Sequence, residues 1–125
     1  MKLAVVGGEF GVARLAPDES TPLWAGRGGF TSVTRTPDEL SVVCAADAIP
    51  GGVQAERGWS CLRVVGRLDF SLTGVLASIA GPLADAGVSI FAVSTYDTDY
   101  VLVRTDALQA AIGCLRAAGH EVEEA

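Results

Sequence analysis

The sequence predicts an α+β protein made of two ferredoxin-like βαββαβ units in tandem, the first with shortened helices. Three observations support this class. The second half of the 125-residue chain alternates short apolar runs with two segments of helical periodicity. The first half has strand-like runs but no helical pattern of full length, and Gly51-Gly52 and Gly58 separate the halves. We therefore expect an abbreviated unit at residues 1–58 and a complete unit at residues 59–125.

The second half opens with a strand and a helix. Residues 61–65 alternate and are β-branched, which is typical of a strand. A helix is expected from about Thr73, whose hydroxyl suits an N-cap, to a left-handed C-cap at Gly87. Pro82 removes an internal hydrogen bond, so we expect it to kink the last turn. The apolar positions of this helix recur at helical spacing: Val75, Leu76, Ile79 and Leu83.

A hairpin and a second helix complete this half. Residues 88–94 are mostly apolar and predict a buried strand, and residues 99–104 predict its partner across a turn at residues 96–98. A helix then runs from Thr105 or Asp106 to residue 118 and is followed by a short strand at residues 120–122. Its apolar face consists of Leu108, Ala111, Ile112 and Leu115.

The first half predicts strands without full helices. Residues 5–15, 30–35 and 40–44 are β-prone, although glycines interrupt the first of these runs. No full-length helix fits between residues 18 and 29. We therefore expect that this half does not fold alone.

The composition of the chain argues against nucleic-acid and membrane partners. The formal net charge is -6 and the pI is near 4.6, and no cluster of basic residues exists, which argues against nucleic-acid binding. No apolar run approaches the roughly 20 residues needed to cross a bilayer, so no membrane partner is expected. The N-terminal residues turn to glycine too early for the core of a signal peptide, so we expect a cytoplasmic protein.

No cofactor or metal ion is predicted. The chain has three cysteines, an odd number, and no C-x-x-C spacing, which disfavours a disulfide framework or a zinc site; they are Cys44, Cys61 and Cys114. The single histidine, His120, lies far along the chain from any candidate nucleophile and is expected to be a half-buried structural residue.

Small polar residues and carboxylates gather where the apolar strands end. A free amino acid needs N–H groups for its carboxylate, which the start of the first helix offers, with Gly74 allowing close approach of the backbone. Its ammonium group needs a carboxylate, and Asp69, Asp97 and Asp99 all lie near that helix start in the ferredoxin-like order. The alternative interpretation is that Ser71 and the neighbouring hydroxyls cap the helix while the acidic residues only shape a turn.

An enzyme is the weakest interpretation. The three carboxylates are of the type that binds a hard cation such as Mg²⁺, but no phosphate-binding glycine loop accompanies them. Gly7-Gly8 lacks the Lys-Ser/Thr sequence that follows in a P-loop. No Ser-His-Asp arrangement is evident. We therefore predict a protein without enzymatic activity.

Three segments in order resemble a known family. The segments are residues 66–76, 82–90 and 94–103. They resemble the ACT domains of the CASTOR-like type, which are similar to the regulatory domains of aspartate kinases and whose eukaryotic members sense cytosolic arginine. The similarity covers about residues 60–122, and the first half looks like a shortened ACT domain that precedes it.

The resemblance implies a non-catalytic regulatory protein that binds a free amino acid at an ACT-domain interface. The ligand-binding residues that it implies are Asp69, Phe70, Ser71, Thr73, Gly74, Ser94, Thr95, Asp97 and Asp99. A CASTOR chain carries four ACT domains, so a chain with two is expected to form a homodimer, which the edge strands of such sheets also favour. The alternative is a ligand-free protein–protein interaction module built by pairing of ACT sheets.

Overall fold

The chain forms two compact units. The computed structural model describes residues 1–69 and 73–124. One unit comprises Met1–Val6 and Ser60–Ala125, and the other comprises Gly7–Trp59. The helices and strands are β1 (Lys2–Leu15), β2 (Ser32–Arg35), β3 (Leu40–Ala45), β4 (Ala55–Val64), α1 (Val75–Asp85), β5 (Ile90–Ser94), β6 (Asp99–Arg104), α2 (Leu108–Ala117) and β7 (Glu121–Glu123).

The larger unit has the predicted βαββαβ order, which is confirmed from β4 through β7. Strands β5 and β6 are antiparallel, in register from Ile90↔Val103 to Ser94↔Asp99. β6 lies next to β4, and β5 ends this side of the sheet. The last strand pairs in parallel with the start of β1, from Lys2↔Glu121 to Ala4↔Glu123. The first residues of the chain therefore take part in the sheet of this unit.

The helices bury the faces that their periodicity predicts. Ile79 and Leu83 of α1 are fully buried, as are Ala111 and Leu115 of α2. They form one core with the apolar side chains that the strands contribute, namely Leu3, Leu62, Val64, Val101, Val103 and Val122. Val75 was expected on the same apolar stripe, but it is only half-buried and lines a surface cavity instead.

Glycine ends the first helix as predicted. Gly87 has φ +75°, a conformation that side chains other than glycine rarely adopt. Its N–H donates to the Ala84 carbonyl at 3.0 Å, and the Val88 N–H donates to the Leu83 carbonyl at 2.9 Å. This pair of bonds is the Schellman motif, which satisfies the last carbonyl groups of the helix.

Helix α1 continues through Pro82 to Asp85. A proline has no N–H, so the carbonyl of Ser78, four residues earlier, loses its partner within the helix. His120 replaces that partner, because its Nε2 lies 2.9 Å from the Ser78 oxygen. A carbonyl can only accept, so Nε2 carries the hydrogen. His120 is half-buried and has the structural role expected of it.

The smaller unit is a sheet with short helical turns. β1 pairs antiparallel with β3, from Phe10↔Ala45 to Leu15↔Leu40, and β2 pairs with the other edge of β3. The helical elements of residues 7–59, all of which are described, are 3-10 turns at Leu23–Gly26 and Ala46–Ala48. As expected, no full-length helix forms between residues 18 and 29. The buried residues of its core are Ala13, Ala25, Leu40, Val42, Cys44 and Ile49.

None of the helices in the described part of the chain is long and apolar enough to cross a membrane.

Candidate functional site

The turn between β5 and β6 is closed by its own hydroxyl groups. The Thr95 N–H donates to the Thr98 carbonyl at 2.8 Å, and the Thr95 hydroxyl donates to the same oxygen at 3.0 Å. Ser94 and Asp99 face each other across the last pair of the hairpin, where the Ser94 hydroxyl donates to Asp99 Oδ1 at 2.6 Å. These bonds hold the Asp99 carboxylate at a defined position beside the turn.

The same turn is anchored to the segment that leaves β4. The Thr98 hydroxyl donates to the Val64 carbonyl at 2.8 Å, and the Leu68 N–H donates to the Asp97 carbonyl at 2.6 Å. The Asp97 side chain lies 3.2 Å from Arg67 Nε. Backbone and side-chain contacts therefore join residues 64–68 to the hairpin, although about thirty residues separate them in sequence.

The start of α1 differs from the expectation. The N-cap is Gly74, not Thr73, and no side chain of residues 1–69 or 73–124 caps the helix. Gly74 has φ +77°, and among the described residues no atom lies within 4 Å of an ideal Cβ at this position. The glycine is therefore required by its left-handed backbone conformation, not by close approach to a neighbouring part of the chain. Its carbonyl accepts the Ser78 N–H at 2.9 Å and begins the helical ladder.

These three segments enclose a cavity of about 170 Å³. Five of the predicted binding residues line it, namely Asp69, Ser94, Thr95, Asp97 and Asp99. Four further described residues also line it, which are Leu68, Val75, Tyr96 and Thr98. Of the other predicted residues, Thr73 and Gly74 precede Val75 in the chain, and Phe70 and Ser71 lie outside the described residues. Most of the predicted polar binding residues therefore line one cavity.

A second cavity, of about 330 Å³, adjoins the first. It is lined by Arg67, Leu68, Asp69 and Tyr96, and the last three of these also line the smaller cavity. The Arg67 guanidinium carbon lies 5.7 Å from the centre of the Tyr96 ring. The sequence analysis did not predict Arg67 and Tyr96 as wall residues, because an isolated arginine and a turn tyrosine have no periodic spacing that indicates a contact.

The chemistry of the smaller cavity is that of a binding site for a polar, electropositive group. Its wall combines three carboxylates with the hydroxyls of Ser94, Thr95 and Thr98 and with apolar side chains. Carboxylates accept hydrogen bonds from ammonium or guanidinium groups, and hydroxyls both donate and accept. Within residues 1–69 and 73–124, no group of three or more His, Cys, Asp or Glu side chains is placed to hold a metal ion.

The N–H groups at the start of α1 are potential hydrogen-bond donors near this cavity. The first N–H groups of a helix have no acceptor within the helix and carry partial positive charge. Val75, the first helical residue, lines the cavity wall. The wall of this cavity therefore contains the first residue of α1 as well as three carboxylates.

The thiols lie elsewhere. Cys44 and Cys61 are buried and Cys114 is half-buried, and all three are free. Burial raises the pKa of the Cys61 thiol to about 12, and burial together with the charge of Asp47 raises the pKa of the Cys44 thiol. A thiol with a raised pKa is a poor nucleophile, because the thiolate is the reactive form.

The smaller unit has a cavity of its own, of about 300 Å³. Its wall is mostly backbone and small side chains, with Phe10 and the two acidic residues Glu9 and Asp47. No motif in the sequence pointed to it.

Comparison with known proteins identifies the family. The model of the ACT domain matches residues 54–117, which is just over half of the chain, and a second model, for an N-terminal domain, matches residues 8–52. The chain belongs to the ACT-domain family. The resemblance seen in the sequence is confirmed, and the fold is that of a regulatory domain.

Two human relatives match part of the chain. The protein CASTOR3P is 33% identical over 87 residues, which is 59% of this chain and 53% of that protein. The protein named cytosolic arginine sensor for mTORC1 subunit 1 is 39% identical over 59 residues, 46% of this chain and 18% of that protein. The chain thus spans about half the length of the first relative and less than a fifth of the second.

Solved structures match the ACT-domain chain over almost its whole length. Protein Atu0741 from Agobacterium tumefaciens is 44% identical with a TM-score of 0.94, over 99% of this chain and 92% of that one. The regulatory subunit of aspartate kinase from Thermus thermophilus has a TM-score of 0.66 at 15% identity, over 94% of this chain and 97% of that one. The second likeness extends to the fold alone.

Proposed function

We propose that this ACT-domain protein is a non-catalytic sensor that binds a free amino acid in the cavity beside the start of α1. The observation that carries the proposal is the convergence of five predicted side chains on one volume of about 170 Å³. This volume is below the roughly 300–1,000 Å³ of pockets for drug-sized molecules, so it suits a small ligand.

The two ends of an amino acid match the two sides of the cavity. In the proposed pose, the α-carboxylate accepts hydrogen bonds from the N–H groups that open α1, where the helix dipole also favours an anion. The α-ammonium binds Asp99, whose carboxylate is held by the neutral hydroxyl of Ser94. Asp99 is half-buried, so a charge-assisted bond to it is less screened than one on the open surface.

The remaining carboxylates set the preference for the side chain of the ligand. Asp69 and Asp97 line the same wall as Asp99, so the side-chain carboxylate of an acidic ligand would add a negative charge beside these like charges. We therefore propose a cationic or neutral amino acid and not Asp or Glu. The arginine sensor among the relatives is consistent with this preference.

Calorimetric titration with the twenty amino acids tests the proposal. Asp99→Asn is expected to weaken a bound amino acid by about tenfold to a hundredfold, since hydrogen bonds to charged groups contribute about 1.5–3 kcal/mol. Asp18→Asn is the matched control, because Asp18 is an exposed carboxylate of the other unit. Absence of binding by any amino acid, or equal affinities in both variants and the wild type, contradicts the proposal.

We further propose a tandem of two ACT domains, residues 1–58 and 59–125 in sequence, that pairs into a homodimer in the cytoplasm; Met1–Val6 belong to the first by sequence and to the compact unit of the second in the structure. The separate family match at residues 8–52 and the separate core of that unit support two domains. β5 ends the strand order of the larger unit, so it leaves an edge to pair with another chain. A relative named as a cytosolic sensor supports the location. Sedimentation equilibrium at micromolar concentration distinguishes a dimer from a monomer.

The second candidate is an interaction module that has no ligand. The same edge at β5 favours it, since sheet pairing requires no small molecule. A dimer in sedimentation that binds none of the twenty amino acids would support this candidate over the sensor.

A further inference from the structure

Arg67 lies at the border of the two adjoining cavities. Its Nε is 3.2 Å from Asp97 Oδ1, and its guanidinium carbon is 5.7 Å from the centre of the Tyr96 ring. Asp97 lines the smaller cavity, Arg67 lines the larger one, and Tyr96 lines both. The guanidinium group therefore contacts an acidic residue and an aromatic residue of the cavity wall at the same time.

A carboxylate and an aromatic ring are the two groups that proteins use to recognise guanidinium and ammonium ligands. Here the chain supplies that cation itself. The side chains of Arg67 and Asp97 are 73% and 64% exposed, and ion pairs so exposed to solvent are weak. A ligand cation can therefore replace Arg67 without a large loss of stability.

The backbone beside Arg67 is held independently of its side chain. The Leu68 N–H donates to the Asp97 carbonyl at 2.6 Å, and the Thr98 hydroxyl donates to the carbonyl of Val64, the last residue of β4, at 2.8 Å. The guanidinium group can leave Asp97 by rotation about side-chain bonds while this segment and the hairpin turn stay joined. The wall of the cavity is preserved when the cation is exchanged.

We propose that Arg67 is an internal competitor whose guanidinium group occupies the subsite for the cationic side chain of the ligand. The inference rests on the proposed amino-acid site and names its preferred class, the basic amino acids. Arginine or lysine binds by displacing Arg67 from Asp97 and Tyr96. A neutral amino acid leaves Arg67 in place and gains nothing from this subsite. Arg67 thereby lowers the affinity for basic ligands specifically.

Titration of wild type and Arg67→Gln with two pairs of ligands tests this. The pairs are arginine with its uncharged analogue citrulline, and lysine with norleucine. The variant is expected to bind arginine and lysine about two- to tenfold more tightly, the range of a weak ion pair plus an exposed cation–π contact. Its affinity for citrulline and norleucine should not change. Arg27→Gln, which removes an exposed arginine of the other unit, is the charge-matched control and should match the wild type.

A second measurement follows the displaced group directly. Arg67 Nε lies 3.2 Å from Asp97 Oδ1, so the NMR signal of the Arg67 Nε–H should shift when arginine is added and stay in place with citrulline. Such a shift supports displacement even where the gain in affinity is small.

Other outcomes overturn the inference in separate ways. If Arg67→Gln weakens all four ligands equally, Arg67 binds the α-carboxylate and is not a competitor. If Arg67→Gln binds all four ligands as the wild type does and the Nε–H signal does not move, Arg67 and Asp97 form only a solvated surface ion pair. In both cases the amino-acid site itself stands if Asp99→Asn still weakens binding. If neither wild type nor Arg67→Gln binds any of the four, the inference fails, and the proposed function fails with it only if none of the twenty amino acids binds.

Discussion

Replacing His120 with alanine is expected to lower the free energy of unfolding by about 1 kcal/mol. The reason is the Ser78 carbonyl, which has no partner within α1 because Pro82 lacks an N–H, and which His120 Nε2 satisfies at 2.9 Å. An intramolecular hydrogen bond contributes about 0.5–1.5 kcal/mol net. Ser78 is exposed, so water can replace part of the lost bond and the larger penalty of a buried, unpaired carbonyl does not apply.

Pro82→Ala separates this cause from general loss of packing. Alanine at position 82 restores an N–H four residues after Ser78, so the carbonyl regains a partner within the helix. The His120→Ala substitution should then cost at most about half as much as it does beside Pro82. A coupling energy of roughly 0.5 kcal/mol or more between the two positions is expected, which is the range for groups that share one partner.

Urea unfolding followed by circular dichroism measures all four corners of this cycle. His120→Gln is a useful control, because its amide retains an N–H donor and should lose less stability than alanine. If His120→Ala costs the same with proline and with alanine at position 82, the Ser78 carbonyl is not the source of the stabilisation.

Two further predictions concern burial. Leu83→Ala should lower the free energy of unfolding by about 2–5 kcal/mol, because Leu83 is 0% exposed in the core. Leu23→Ala should change the free energy of unfolding by less than about 0.5 kcal/mol, because Leu23 is 98% exposed. Equal urea midpoints for the two variants would contradict the assigned core. Iodoacetamide at pH 8 should modify Cys114 and spare Cys61, because burial of Cys61 both blocks access and raises the thiol pKa to about 12, so that roughly one molecule in ten thousand carries the thiolate. Mass spectrometry of the digested protein reports the labelled peptide, and rapid labelling of Cys61 would show that the strand opens.

The candidate site was predictable where it depends on short stretches of sequence. Ser94 and Asp99 face each other because the hairpin turn between them is local, and turn residues and strand periodicity define such a turn. Asp69 joins them because the βαββαβ order brings the end of the first strand beside that turn. The same reasoning did not find Arg67 and Tyr96, since their contact depends on side-chain directions and not on spacing.

The helix start shows a second limit. Hydroxyl chemistry favoured Thr73 as the N-cap, but the chain enters α1 through a left-handed residue that only glycine adopts easily, so the cap is Gly74. Val75 likewise has the spacing of a core residue and instead lines the cavity. Periodicity gives the direction of a side chain around the helix axis, whereas the surrounding elements decide whether that direction meets the core or an opening.

By itself, the sequence determined the order of strands and helices in residues 60–123, the apolar faces of both helices and the glycine that ends the first one. Each of these follows from periods of 2 or 3.6 residues and from local backbone preferences. Only the tertiary structure decided that Lys2–Ala4 pair in parallel with Glu121–Glu123 and that Met1–Val6 belong to the same compact unit as the last strand. Any exposed strand edge offers the same N–H and C=O groups, so the choice of partner across the length of the chain depends on which pairing buries Leu3 and Val122 in one core.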